Sequence, residues 1–105
     1  MTELEKRTVQ QELRRLLDSD PSTEGMTIRP HGTSFVLGRL DPDPNGPYSS
    51  PEPDDRVRLT ASARGRFTVS VRRHTGRWEK TPFSGTLEQV HEAICATMQH
   101  LVAPW

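Results

Sequence analysis

The sequence predicts an α+β fold, a two-layer sandwich in which a mostly antiparallel sheet of about five strands is covered on one face by an N-terminal and a C-terminal helix. Three observations carry this. Residues 56–62 and 66–73 alternate apolar and polar side chains with the period of two that a half-buried strand requires. The two ends of the chain instead place apolar residues at helical spacing. A sheet with one apolar face needs a cover, and those two helices are the only amphipathic segments available to provide it.

Residues 2–18 open with Thr2 and Glu5, a capping-box pattern in which the hydroxyl accepts from an orphan N–H and the carboxylate reaches back. Val9, Leu13, Leu16 and Leu17 then fall on one face, and Glu3 and Arg7 are spaced for an ion pair. Pro21 ends the helix, because proline disfavours helical geometry in the residue before it. Residues 26–29 and 34–40 read as strands, with residues 30–33 as the turn between them. Residues 41–55 hold five prolines, four aspartates and Glu52. Such a stretch has almost nothing apolar to bury, so an extended, mobile loop is expected. In residues 56–62, Val57, Leu59 and Ala61 alternate with Arg56, Arg58, Thr60 and Ser62. Ala63, Arg64 and Gly65 make a tight connection. Phe67, Val69 and Val71 then alternate with Arg66, Thr68, Ser70 and Arg72. A turn at residues 74–76 leads to a third strand of this meander, residues 77–81, with Trp78 as its buried anchor. Residues 82–85 connect to a second capping box, Thr86 with Gln89. Leu87, Val90, Ile94, Met98 and Leu101 follow as an apolar stripe that Pro104 closes.

A chain of 105 residues makes one domain, spanning residues 1–105. Leu, Ile, Val and Phe total 21 residues, so the core is thin and a homodimer would supplement it. No apolar run approaches the roughly 18 residues that a membrane-spanning helix needs. Thr2, Glu3, Leu4 and Glu5 do not read as a signal peptide. The single Cys95 has no partner for an internal disulfide and fits a reducing cytoplasm, which is the expected location.

The net charge is zero, but its distribution is not even. Residues 56–80 carry eight cations, Arg56, Arg58, Arg64, Arg66, Arg72, Arg73, Arg77 and Lys80, against one acid, Glu79. The residues before them carry six cations against eleven acids, and those after them only Glu88 and Glu92. Arginine outnumbers lysine twelve to two. Guanidinium groups are planar forks suited to carboxylate or phosphate. The open sheet face is therefore expected to recognise an acidic protein surface. The binding residues named on this ground are Arg56, Arg58, Arg66, Arg72, Arg73 and Arg77. A sheet-based DNA or RNA binder is the alternative. The expected outward residues include no aromatic, which weighs against stacking on single strands.

Other constellations are weaker. Asp41, Asp43, Asn45, Gly46 and Glu52 resemble half of a calcium loop, but prolines stiffen it and no helix precedes it. His91 and Cys95 are four apart on a helix and could share a metal, yet two ligands are too few for zinc. No Gly-rich phosphate loop and no nucleophile signature are present. The expectation is thus a non-catalytic binding or adaptor protein without metal or cofactor, with an enzyme whose site is invisible in the sequence as a third reading. Tyr48 and Trp105 are further aromatic candidates for packing or dimer contact.

Overall fold

The computed structural model describes residues 2–40, 54–73 and 75–102. The chain runs α1 (Glu3–Asp18), β1 (Thr27–His31), β2 (Ser34–Arg39), β3 (Asp54–Ala63), β4 (Arg66–Arg72), β5 (Trp78–Gly85), α2 (Leu87–Thr97) and α3 (Gln99–Val102). The five strands form one sheet in the order β1-β2-β3-β4-β5, antiparallel throughout, with the helices on one side. This is the α+β sandwich that the alternation and the two stripes predict. Among the described residues no helix is long and apolar enough to cross a membrane.

Local chemistry sets the ends of the elements. Thr2 caps α1 by accepting from the Glu5 N–H at 3.1 Å, and Glu3 pairs with Lys6 rather than with Arg7. The second capping box forms in full: Thr86 accepts from the Gln89 N–H, and the Gln89 side chain accepts from the Thr86 N–H. Gly65 takes a φ of 70° in the two-residue turn between β3 and β4, a conformation that penalises any side chain.

The core lies between the sheet and the helices. Leu13 and Leu17 of α1 and Val90 and Ile94 of α2 meet Phe35, Leu37, Val57, Leu59, Phe67 and Val69 of the sheet. Phe35 and Phe67 pack edge to face with centroids 6.4 Å apart.

Several expectations need correction. The apolar stripe of the last helix is real, but the helix breaks: Met98 leaves helical geometry as the cap of α2, and α3 is a separate turn. Pro30 and His31 belong to β1, so the first turn shrinks to Gly32 and Thr33. Asp54 and Asp55 belong to β3 and not to a loop. The rest of the expected loop, residues 41–53, lies outside the described residues, as do Tyr48, Trp105 and the calcium-like pattern. Residues 82–85 are strand, because a register irregularity opposite Val69 accommodates Pro82 inside β5.

Trp78 also takes a different role from the one expected. It pairs with Arg72, which shares the open face, so its indole cannot enter the core. Phe83, five residues later, is the aromatic of β5 that packs against the core.

Candidate functional site

The open face is organised in rows set by strand register. One row reads Arg29, Val36, Arg58, Ser70 and Lys80 from β1 to β5. The next reads His31 followed by four hydroxyl residues, Ser34, Thr60, Thr68 and Ser84, of which Ser34 and Thr60 are hydrogen-bonded at 3.0 Å. On the other side of the cationic row lie Asp55, Arg72 and Trp78.

Trp78 is the centre of this face. The Arg58 guanidinium lies over its ring at 4.9 Å from the centroid, and the Arg72 guanidinium at 5.9 Å. Arg58 is on β3 and Trp78 on β5, so the indole reaches across β4. Ser70 lies beneath that path and is 2% exposed, although it is on the solvent side of the sheet. Val36, between Arg29 and Arg58, is buried in the same way by the aliphatic stems beside it. Each guanidinium–indole contact is worth about 0.5–2 kcal/mol, depending on desolvation.

The four cations of the face are not equivalent. Asp55 ties two of them, accepting from Arg29 at 2.9 Å and Arg72 at 3.3 Å through one carboxylate oxygen. Lys80 is exposed and, among the described residues, in no ion pair. Arg58 is half-buried, and its Nε is a buried donor without an acceptor among the described residues. A buried N–H left unpaired costs about 1–3 kcal/mol. The sheet therefore holds a charged donor in a fixed place with part of its hydrogen-bonding capacity unused.

The six arginines named from sequence do not form one cluster. Arg58 and Arg72 meet around Trp78, as described. Arg66 lies at the start of β4, exposed and alternating with buried Phe67. Arg77 is exposed ahead of β5. Arg56 is not on the open face at all. Register passes from Leu37 opposite Val57 to Gly38 opposite Asp55, which leaves Arg56 as the extra residue of a β-bulge. The bulge turns Arg56 toward the helical layer, where it donates to the Leu101 carbonyl at 2.6 Å and pairs with Asp54 at 2.8 Å. A Cβ at Gly38 would meet the Asp54 carbonyl oxygen at 2.6 Å, so the bulge requires glycine there. Arg73 keeps the inward parity of Val71 and pairs with Glu79. Arg56, Arg72 and Arg73 come together only at the rim of a shallow cleft of about 450 Å³, shared with Asp54, Asp55 and His100.

Sequence reading missed Arg29, Lys80 and Trp78 as members of this face. Strand register identifies all three, and alternation within one strand does not say which residue of the next strand lies opposite.

His91, on α2 beside Cys95, makes a buried polar link to Thr23 in the α1–β1 connection. The Thr23 hydroxyl donates to the Leu17 carbonyl at 2.7 Å and so accepts from His91 Nε2 at 3.0 Å. Cys95 Sγ lies 3.4 Å from that same nitrogen. A nucleophilic dyad needs a ring nitrogen free to take the thiol proton, and this one carries its own. Burial also pushes the imidazole pKa down and the thiol pKa up, the reverse of a thiolate–imidazolium pair. Among the described residues no group of three metal-ligating side chains converges.

No protein-family model, curated protein or solved structure matches this chain.

Proposed function

We propose that the protein is a non-catalytic binding or adaptor module, resident in the cytoplasm, whose open sheet face recognises an acidic segment of another protein. The observation that carries this reading is Arg58: a half-buried guanidinium, held over Trp78 and, among the described residues, in no ion pair. Among the described residues its terminal N–H groups are in no hydrogen bond or ion pair, and a carboxylate seated on them would gain charge-assisted hydrogen bonds without the entropic cost of ordering a free arginine. Arg29, Arg72 and Lys80 extend the patch, and Asp55 limits it to a net charge of three. A patch of that size suits a short acidic stretch.

Nucleic acid is the second reading, and Trp78 is what favours it, because an aromatic among arginines on a sheet is a base-stacking platform. Two features weigh against it. Two guanidiniums already occupy the indole. The whole chain is neutral, with a pI near 6.9, and lacks the broad positive field that polyanion binders use. An enzyme with a site beyond these residues is the third reading.

Titration separates them. Fluorescently labelled poly-glutamate peptide, single-stranded RNA and duplex DNA are compared by anisotropy at low and physiological salt. The proposal expects saturable peptide binding that weakens moderately with salt. Tighter binding to either nucleic acid, with a steep salt slope from counterion release, would replace it with the second reading.

A further inference from the structure

A second surface lies away from the basic face. The N-terminal half of α1, the β3–β4 hairpin and the start of α2 enclose an open groove of about 1110 Å³. Its floor is apolar, formed by Val9, Ala61, Phe67 and Leu87. Leu4 stands at its edge with 74% of its surface exposed, the most exposed large apolar residue described. The two walls have opposite charge. Glu5 and Glu88 lie on the helical wall and Arg64 on the hairpin wall. Neither Glu5 nor Arg64 is in an ion pair among the described residues.

We propose that this groove is the interface of a homodimer. A two-fold axis across it brings the Glu5 wall of one copy against the Arg64 wall of the other, and the same contact then occurs twice. Leu4 of each copy enters the apolar floor of its partner. Both acid and base, unpaired in one chain, become paired in two. The alternative route to a dimer, edge-to-edge strand pairing, is disfavoured. Both outer strands carry a proline, Pro30 in β1 and Pro82 in β5, and proline interrupts a hydrogen-bonded edge. The inference does not depend on the role of the basic face.

Sedimentation equilibrium from micromolar to submillimolar concentration tests it. The wild-type mass should rise from that of one chain, 11.9 kDa, toward twice that value. Leu4→Glu places a charge on the apolar anchor at an exposed helical position, so its circular dichroism and melting temperature should match wild type. Its dimer dissociation constant should rise at least about tenfold, as for an interface anchor. Arg64→Glu should weaken the dimer, and adding Glu5→Arg to it should restore association by reversing both walls. Variants at Arg58 and Lys80 should dimerise normally. A wild-type chain that stays monomeric throughout would overturn the proposal. So would folded Leu4→Glu and Arg64→Glu variants that dimerise as tightly as wild type.

Discussion

Among the described residues Arg39 has no carboxylate partner, yet it is only 6% exposed at the end of β2. It donates instead to three carbonyls: Val102 at 2.8 Å, Ser22 at 2.9 Å, and Glu24. One side chain thus joins α3, the α1–β1 connection and the sheet. Burial lowers its pKa, but a guanidinium stays charged far above neutral pH. Arg39→Met keeps the stem and removes every donor, leaving those carbonyls short of partners. It should destabilise the protein by about 2–4 kcal/mol, read from the shift in urea midpoint at constant m-value. His91 gives a second residue-level prediction. Burial holds its pKa below the ordinary 6.5, against a smaller opposing pull from Asp20. The unfolded chain therefore takes up this proton at a higher pH than the folded one. The resulting stability is present above pH 6.5 and is lost as the pH falls through the folded value. Melting temperature should fall between about pH 7 and pH 5, and His91→Gln should flatten that fall. Equal slopes in the two proteins would show that His91 is not the titrating group. None of these roles was legible beforehand, because a lone arginine at a strand end and a histidine on a helix give no sequence signal of the carbonyls or hydroxyl they meet.

At the scale of elements, what was legible was periodic. Val57, Leu59, Phe67 and Val69 face the core as their alternation requires, and Leu13, Leu17, Val90 and Ile94 do so by helical spacing. Both are direct consequences of backbone geometry. What was not legible came from irregularities. The hairpin register sets Trp78 opposite Arg72 on the open face, the irregularity at Pro82 carries β5 on to Phe83, which packs inward, and the bulge at Arg56 changes the face of that arginine. A single inserted residue reverses side-chain parity, and no local propensity announces it. The candidate site was therefore half legible: Arg58 and Arg72 were placed on the open face by alternation, while Trp78, Arg29 and Lys80 needed the register. The C-terminal stripe is the most consequential of the periodic elements. Ile94 is 1% exposed between α1 and the sheet. Ile94→Ala should cost about 2–5 kcal/mol, measured by denaturant unfolding. A cost below about 1 kcal/mol would mean that the site collapses around the deletion or that the stripe contributes little.

At the scale of the whole molecule, the chain is neutral because acidic and basic segments cancel, not because charge is evenly mixed. Folding divides the basic segment. Arg56 and Arg73 are taken into ion pairs at the helical side, and Arg64 goes to the groove. Arg58, Arg72 and Lys80 remain on the open face, with Arg29 added from β1. The account stands on the claim that this face binds an anionic partner through Arg58. The most direct measurement uses Arg58→Gln combined with Lys80→Glu. Glutamate at position 58 would place an unpaired carboxylate in a half-buried site beside Trp78, whereas glutamine keeps a stem and a donor there. Lys80 is exposed, so its reversal should change stability by less than about 1 kcal/mol. The account predicts that the double variant melts within a few degrees of wild type and loses poly-glutamate binding by at least about tenfold. A folded double variant that binds the peptide as tightly as wild type would contradict it.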